Sequence, residues 1–444
     1  MSRSDLSEAV FYVTVLSNFA RGYDKYRRTY SKRAVSESTY PDKFFVLREN
    51  ELHIGVRKAQ RLLTKLGLSD NKLIALRAQV PSASLQKNER NGLGRIWLSD
   101  ELPVEAVFTV TTVGPEPKLE HLALEDAAAD SLCLLRPSLF GFEQLRPRSV
   151  AVLPVAKGCQ AACPFCFSEA SASVEQEQGR LNFDRVEAVL GAARERGAER
   201  AVITGGGEPL LLREAELLEL IRACKHQFNK VVLITNGHRL AQHDEHQRLE
   251  NLRALAQAGL SVLNISRHHH DDLTNARLMN LNIKSAAVAR TWFAHQHTLP
   301  GLNVRFTCVL QSGGVADMPT IDAYVAQAVA LGVPEICFKE LYVSTSRESA
   351  YYRLGANKWS YEHQVPLSLV LEFAARNGLL EVARLPWGAP VFRGTFNGKT
   401  ISIAAYTEPS LFWERTHAIA RSWNLMADGR CLASLEDRQS EISL

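Results

Sequence analysis

The stretch Ser149-Val-Ala-Val-Leu-Pro-Val-Ala-Lys-Gly-Cys-Gln-Ala-Ala-Cys-Pro-Phe-Cys-Phe167 joins a short strand to a loop that carries three cysteines. Residues 149–155 form a β-branched run that is typical of a buried strand. The cysteines follow with the spacing C-x3-C-x2-C, and a proline inside the loop makes a regular helix unfavourable. Because offsets of four and three let a tight loop turn three thiolates toward one centre, the sequence predicts a site on Cys159, Cys163 and Cys166.

The number of thiolates limits which kind of metal site this loop can form. An iron–sulfur cluster is usually held by four cysteines, so three would leave one iron open to an external ligand. A structural zinc site is the alternative, and it needs a fourth Cys or His close by. The next candidates downstream are Cys224 and His226. The spacing favours a cluster and leaves zinc as the second reading.

Outward from this loop, short apolar runs alternate with segments of helical periodicity. A parallel sheet is built from such alternation, and right-handed crossovers curl it into a full or partial barrel with ligands at the carboxyl ends of the strands. We therefore predict an α/β core, a partial (β/α)6 TIM-like barrel over residues 149–341. The predicted strands cover residues 149–155, 200–204, 230–235, 260–266, 302–310 and 335–341, and the predicted helices cover residues 182–197, 212–227, 245–258, 284–297 and 321–332.

Residues suited to ligand binding follow several of these strands. Gly205-Gly-Gly-Glu-Pro209 follows the second strand, Asn236 the third, and Ser266 and Arg267 the fourth. Three glycines let backbone amides approach a ligand closely, and Glu208 adds an acceptor for an ammonium group. Alone, glycines before a proline are typical of an ordinary turn. Their coincidence at one edge of the sheet predicts a binding site there.

The cysteine motif with Phe165 before its last cysteine, followed one β/α unit later by Gly205-Gly-Gly-Glu208-Pro209, resembles the radical S-adenosylmethionine superfamily. The resemblance covers residues 149–341. It implies that Cys159, Cys163 and Cys166 hold one [4Fe-4S] cluster, whose open iron is chelated by the amino and carboxylate groups of S-adenosylmethionine. It also implies reductive cleavage to a 5′-deoxyadenosyl radical that abstracts hydrogen from a substrate C–H bond, with flavodoxin or ferredoxin as a suitable reductant.

The same resemblance implies roles for residues that bind S-adenosylmethionine. Glu208 and the backbone of the three glycines would take the methionine ammonium, while the fourth-strand residues would contact the carboxylate or ribose. Asn236 and the segment Val309-Leu-Gln-Ser-Gly313 occupy positions where the family lines ribose and adenine. The implied cofactor-binding set is Gly205, Gly206, Gly207, Glu208, Asn236, Ser266, Arg267 and Gln311.

Three further residues are catalytic candidates. Cys308 and Cys337 lie on the fifth and sixth predicted strands, where an inward thiol could donate hydrogen to a substrate radical, as in some relatives. Core packing is the alternative for both. In Arg267-His-His-His-Asp-Asp272, adjacent imidazoles point alternately to opposite sides of an extended chain and cannot easily share an ion. His268 alone is retained as a substrate contact or acid/base.

The flanking regions are predicted accessory parts. Residues 1–148 predict an α+β domain with helices at 56–66 and 70–77, a helix-turn-helix-like pair that could recognise substrate, and strands at 94–98 and 104–110. Residues 342–444 predict a small α+β extension covering the substrate site. It has a helix near 366–377 and hairpins at Asn397-Gly398 and Asp428-Gly429.

The composition of the chain limits the number of domains, the class of protein and the partners that can be expected. The chain has 444 residues, enough for two or three domains, and its 46% apolar and 23% charged content is that of a globular protein. With 52 Lys+Arg against 48 Asp+Glu, the net charge of +4 argues against nucleic acid as a partner. The sequence predicts neither a signal peptide nor a membrane span. We therefore expect a cytoplasmic protein with reduced thiols.

The sequence indicates the substrate less clearly than it indicates the type of reaction. A peptide or protein side chain leads, because accessory parts make up more than half of the chain. The same chemistry on a small molecule or nucleotide-derived precursor is the alternative, because only Cys431 follows Cys337 and a second cysteine cluster is missing. Modification of RNA is a third reading. The non-enzyme alternative is a zinc-stabilised binding module that uses its helix pair on nucleic acid or protein.

Overall fold

The computed structural model describes residues 140–156, 158–168, 181–344, 349–351, 353–409 and 411–444, together with the seven strands that precede them. The chain divides into two compact units, Met1–Phe140 and Gly141–Leu444. Among the described residues, none of the helices is both long and apolar enough to cross a membrane.

The first unit contains an antiparallel sheet. Its strands are β1 (Leu6–Ser17), β2 (Asp42–Arg48), β3 (Leu73–Pro81), β4 (Gln86–Asn88), β5 (Leu93–Trp97), β6 (Val107–Val113) and β7 (Glu120–Ala123). They pair in the order β4-β5-β2-β1-β3-β6-β7, so the long strand β1 lies at the centre between β2 and β3.

One predicted helix of this unit is wrong. The sequence predicts a helix at residues 70–77, the second of a helix-turn-helix-like pair, but Leu73–Pro81 is a strand paired with β1 and β6. Ile74, Leu76, Ala78 and Val80 repeat with a period of two, which is the period of a strand. The first predicted helix, at 56–66, lies outside the described residues. The strand predicted at 94–98 is confirmed by β5, and the one predicted at 104–110 overlaps β6.

The second unit is a mixed α/β fold around a central sheet. Its strands are β8 (Arg146–Pro147), β9 (Val150–Val152), β10 (Ala201–Ile203), β11 (Val231–Thr235), β12 (Val262–Ser266), β13 (Asn303–Leu310), β14 (Glu335–Glu340), β15 (Leu380–Arg384), β16 (Pro390–Phe396), β17 (Lys399–Tyr406), β18 (Ile419–Ala420), β19 (Trp423–Leu425) and β20 (Cys431–Leu432).

The helices of this unit connect the strands. They are α1 (Phe183–Glu195), α2 (Glu214–Gln227), α3 (His238–Gln242), α4 (Glu245–Gln257), α5 (Asp272–Met279), α6 (Ser285–His295), α7 (Met318–Ala330), α8 (Gly355–Glu362), α9 (Ser368–Arg376) and α10 (Leu411–His417). Short 3-10 helices occupy Phe142–Gln144, Pro209–Leu211 and Gln296–Thr298.

The predicted order of the core sheet is confirmed. Strands β9 to β14 are consecutive and parallel. Two strands from the last part of the chain extend this parallel set, because β17 pairs with β14 and β19 pairs with β9. The full order is β15-β16-β17-β14-β13-β12-β11-β10-β9-β19-β20. Pairing among these strands does not join β15 to β20, so a barrel remains a prediction.

Local sequence accounts for the element boundaries. The side chain of Asn182 accepts a hydrogen bond from the backbone N–H of Arg185 and caps α1, as predicted. Asp317 and Thr320 form a capping box at the start of α7. Asn397 and Gly398 both have positive φ, which suits the tight turn that joins β16 to β17.

The two sides of β13 and β14 differ in chemistry. Phe306 and Phe338 are fully buried, and the ring of Phe338 lies 5.4 Å from that of Tyr324 on α7. This side is the helix-facing side. Residues at alternate positions point to the other side, which we call the polar face. It consists of Asn264, Ser266, Arg305, Thr307, Glu335, Cys337 and Lys339.

Candidate active site

The three predicted cysteines lie on the loop that follows β9. Cys159 and Cys166 are exposed, and Cys163 is half-buried. Burial raises the pKa of Cys163 to about 12, and the negative charges of the other two thiolates add to the effect. Burial also raises the pKa of Cys159, with contributions from Glu208 and Cys166. The three sulfur atoms therefore lie close enough for the charge of one to raise the pKa of another.

The glycine segment packs directly against the start of the cysteine loop. The backbone N–H of Glu208 donates to the carbonyl oxygen of Gly158 at 2.8 Å. A Cβ atom at Gly207 would lie 2.2 Å from that carbonyl oxygen and 2.7 Å from Cγ1 of Val155. Only glycine fits at 207, and Gly206 has a φ of 90°, which glycine adopts without strain. The two motifs therefore form one unit.

The far side of the cysteine loop is held by α5 and by aromatic contacts. The backbone N–H of Ala162 donates to the carbonyl oxygen of Met279 at 3.0 Å, at the end of α5. The ring of Phe165 meets that of His268 edge-on at 5.1 Å and lies 5.9 Å from that of Trp359 on α8.

The last residue of the loop is anchored in the same way. Phe167 stacks on Tyr351 at 4.5 Å and lies 6.1 Å from Tyr342. Both tyrosines are buried and belong to the region that follows β14. The region after residue 342 therefore contacts the cysteine loop through Tyr351 and Trp359.

Glu208 is almost fully buried, with 3% of its surface exposed. Its carboxylate accepts hydrogen bonds from the backbone N–H of Leu210 at 3.0 Å, from the backbone N–H of Asn236 at 2.8 Å, and from the hydroxyl of Thr235. Burial raises the pKa of this carboxyl, and the three donors oppose the rise. Glu208 thus ties the end of β10 to the end of β11, and its role toward an ammonium group remains a prediction.

Asn236 faces the cysteine loop. Its side-chain amide donates to Sγ of Cys159 at 3.6 Å and to Oε1 of Gln160 at 3.2 Å. Its Oδ1 accepts from the backbone N–H of His238 at 2.8 Å. An amide donor to a thiolate stabilises the charged form of the sulfur.

The structure separates Ser266 from Arg267. Ser266 is half-buried on the polar face, in register with Thr307. Arg267 is fully buried. Its guanidinium pairs with Asp272 at 2.7 Å and donates to Gln327 of α7 at 3.1 Å. Arg267 is therefore engaged by the helix layer, and the structure does not bring it to the polar face.

His268 is a neutral imidazole at the edge of the site. Its Nδ1 accepts a hydrogen bond from the backbone N–H of Val309 at 3.1 Å, so the ring proton lies on Nε2. Burial lowers the pKa of His268 to about 3, and the positive charge of Lys339 contributes. Of the three consecutive histidines, only His268 contacts an aromatic ring of the cysteine loop within the described part of the chain.

The two candidate thiols lie on opposite sides of the sheet. Cys308 is fully buried on the helix-facing side, and burial raises its pKa well above the usual range. This position agrees with core packing, the alternative given for Cys308. Cys337 is half-buried on the polar face, in register with Thr307. Of the two, only Cys337 remains a candidate hydrogen donor.

Gln311 is fully buried just after β13. Its amide nitrogen donates to the carbonyl oxygen of Val309 at 3.3 Å, and its Oε1 lacks a hydrogen-bond partner within the described ranges. Its backbone pairs with that of Gln364, next to α8. A contact of Gln311 with adenine remains a prediction.

The donor set fits an iron–sulfur cluster. Among the described residues, three or more His, Cys, Asp or Glu side chains do not come together as ligands for a single metal ion. A [4Fe-4S] cluster distributes its cysteines over separate irons, so its ligands do not have to meet at one atom. Three thiols on one short loop, with an amide donor at Cys159 and a close-packed glycine segment beside them, suit that arrangement.

Several residues of the site were missed in the sequence. Thr235 donates to Glu208, Thr307 donates to Asn264 and lies in register with Cys337, and Lys339 lies beyond Cys337 on the same face. The signal was present, because polar and apolar residues alternate along β13 and β14, whereas strands buried on both faces are apolar throughout.

Comparisons with known proteins agree with this site. Residues 153–292 match the family description "Radical SAM superfamily". The chain is 32% identical over 175 residues to a probable GTP 3′,8-cyclase of Methanopyrus kandleri, a match that covers 39% of this chain and 51% of that protein. It is 30% identical over 115 residues to a GTP 3′,8-cyclase of Mannheimia succiniciproducens, covering 26% of this chain and 31% of that protein. The matches thus span about half or less of these relatives.

Among solved structures, Streptococcus suis SuiB bound to S-adenosylmethionine is similar with a TM-score of 0.42 and 16% identity, covering 70% of this chain and 64% of that one. The matched family region contains the three cysteines, the glycine segment and Glu208. Residues 153–292 therefore form a domain of the radical SAM superfamily, whose members use a [4Fe-4S] cluster and S-adenosylmethionine.

Proposed function

We propose that this enzyme abstracts hydrogen from a C–H bond of a substrate that lies against the polar face. One observation carries the proposal: the glycine segment packs onto Gly158, immediately before Cys159. Cluster ligands and the backbone that would hold S-adenosylmethionine are thereby fixed relative to each other. Geometry of this kind is what the protein contributes when a cofactor supplies the chemistry.

Each residue has a defined task in this proposal. Cys159, Cys163 and Cys166 hold the cluster, and Asn236 donates to the sulfur of Cys159. A bound cluster would supply the one-electron chemistry by which S-adenosylmethionine yields a 5′-deoxyadenosyl radical. The glycine backbone and Ser266 contact the nucleotide. His268 and Phe165 keep water from the adjoining side of the loop.

Cys337 is the proposed hydrogen donor on the polar face. Its S–H bond breaks and a C–H bond forms on the substrate radical, which leaves a thiyl radical on the sulfur. One electron and one proton restore the thiol, and the flavodoxin or ferredoxin that reduces the cluster supplies that electron. Burial raises the pKa of Cys337, so the sulfur carries the hydrogen that this step needs.

Two substrate classes are compatible with the site. A peptide or protein side chain stays a prediction from the size of the accessory parts. A small, nucleotide-derived precursor is favoured by the similarity to proteins named GTP 3′,8-cyclase. A zinc-stabilised module without catalytic activity is no longer an alternative, because the family match is to enzymes.

The test uses anaerobic reconstitution with iron and sulfide. Wild-type protein should retain four irons above background and form 5′-deoxyadenosine only when a reductant is added. Cys163→Ala should lose the cluster and the product. Cys224→Ala is the matched control, because Cys224 is fully buried in α2 and does not belong to the cysteine loop. Wild-type protein that forms no 5′-deoxyadenosine, or a Cys163→Ala variant that still forms it, would overturn the proposal.

A further inference from the structure

We propose that Lys339 and Arg421 form the subsite that binds an anionic group of the substrate, a carboxylate or a phosphate. This inference rests on the proposed function. Lys339 is two residues beyond Cys337 on β14, so both side chains point to the polar face. Lys339 pairs in register with Val309 on one side and with Tyr406 on the other.

The two cations share one carboxylate. Nζ of Lys339 contacts Oε1 of Glu408, and Nη1 of Arg421 contacts Oε2 of the same residue. We call Lys339, Arg421 and Glu408 the triad. Solvent reaches 32% of the lysine side chain and 26% of the arginine side chain, but only 13% of the glutamate side chain. The carboxylate is covered, and the two cations retain an open side.

The triad has donors and positive charge to spare. Within the described part of the chain, Glu408 is the only side chain that bonds to the ammonium of Lys339 or to the guanidinium of Arg421. An ammonium carries three N–H donors and a guanidinium five. Two cations on one carboxylate also leave one unit of positive charge, which suits an anion.

Neighbouring carboxyl groups do not cancel that charge by pairing with the cations. Glu414 accepts from the backbone N–H of Arg421, and burial raises its pKa to about 8, with contributions from Glu436 and Glu408, so it is neutral near pH 7. Glu436 accepts from the hydroxyl of Tyr342.

The triad is close to the cysteine loop along two routes. Lys339 is near enough to His268 for its charge to lower the pKa of that imidazole, and His268 packs on Phe165. On the other route, Tyr351 stacks on Phe167. Burial raises the pKa of Tyr351, the charge of Glu408 adds to this rise, and the charge of Arg421 opposes it. An anionic group bound at the triad would thus anchor a substrate on the side of the sheet that carries Cys337.

Binding of simple anions to the reconstituted holoenzyme tests this inference. Isothermal titration calorimetry with inorganic triphosphate and with tricarballylate separates a phosphate source from a carboxylate source. We expect one of the two to bind saturably. Lys339→Met and Arg421→Met should each weaken that binding about tenfold, because each removes a charge-assisted hydrogen bond. Lys399→Met and Arg430→Met are matched controls, since those cations bind Val329 and Asp428 instead.

Glu408→Gln separates a binding role from a purely structural one. Removing the competing carboxylate should strengthen anion binding several-fold, whereas a triad that only holds the fold would lower the melting temperature and leave affinity unchanged. A variant that melts early is replaced by Lys339→Arg or Arg421→Lys, which should restore affinity. The inference is overturned if neither anion binds saturably or if both methionine variants bind like wild type. Formation of 5′-deoxyadenosine in the same samples reports separately on the proposed function.

Discussion

The two sides of strands β13 and β14 are a few ångströms apart and have opposite chemistry. Phe306, Cys308 and Phe338 are buried against the helix layer, whereas Thr307, Cys337 and Lys339 are half-buried on the other side. The helix-facing side supplies apolar burial, and the polar face supplies donors and a thiol. Cys308 and Cys337 show the difference most clearly, because the same residue type is packed against the helix layer on one side and is the proposed hydrogen donor on the other.

The largest expected effect lies on the helix-facing side. Phe338→Ala removes a fully buried ring that contacts Tyr324, and we expect a loss of about 3–5 kcal/mol in the free energy of unfolding. Thr307→Ala on the polar face should cost about 1 kcal/mol, because it removes one hydrogen bond to Asn264. Urea denaturation followed by circular dichroism measures both. Equal losses would remove the distinction between the two sides.

The next effect concerns the contact between the two sequence motifs. Gly207→Ala places a methyl group against the carbonyl oxygen of Gly158, and we expect about a hundredfold lower rate of reductant-dependent 5′-deoxyadenosine formation, together with lower iron content. Gly191→Ala is the control, because among the described residues the added methyl group in α1 meets no atom within 4 Å apart from the neighbouring backbone of its own helix. Normal iron content in Gly207→Ala would contradict the close packing described for the loop.

A pH dependence is expected from His268. The folded state holds its pKa near 3, below the value of about 6.5 in an unfolded chain, so the unfolded state takes up the proton first as the pH falls. The contribution of this residue to stability is complete above pH 6.5 and falls by about 2 kcal/mol on acidification to pH 5. His268→Gln should flatten the pH profile of the melting temperature, and His246→Gln, at an exposed position in α4, should leave it unchanged.

The smallest expected effect compares the two thiols directly. Cys337→Ala should lower product formation at least about tenfold while 5′-deoxyadenosine still forms, because only the hydrogen return to the substrate is lost. Cys308→Ala should leave product formation intact and lower stability by about 1 kcal/mol. Mass spectrometry of the substrate and thermal melting measure the two outcomes. The reverse pattern would exchange the roles assigned to the two sides.

Much of the core could be predicted because local signals agreed with one another. Strand order from β9 to β14, the Asn182 cap and the buried residues of α1 and α7 follow from periodicity and capping rules that act within a few residues. The cysteine loop and the glycine segment were found for the same reason, since each motif is continuous in sequence.

The parts that were not predicted depend on contacts between distant residues. Arg267 follows Ser266 directly, and only the tertiary structure shows that its guanidinium enters the helix layer. Glu408 and Arg421 meet Lys339 from a region whose strands could not be assigned to the core sheet in advance. The helix predicted at 70–77 failed because antiparallel partners on both sides overrode a local helical pattern.

The placement of β19 beside β9 has a consequence for how the molecule is made. Strand β9 leads into the cysteine loop, yet its outer neighbour β19 is translated only after strands β10 to β18. Pairing of such widely separated segments slows folding, so a nascent chain would expose one edge of β9 until β19 has left the ribosome. Insertion of iron and sulfide is then expected to follow the synthesis of β19, and a variant truncated before Trp423 would keep its cysteines while lacking the strand that pairs with β9.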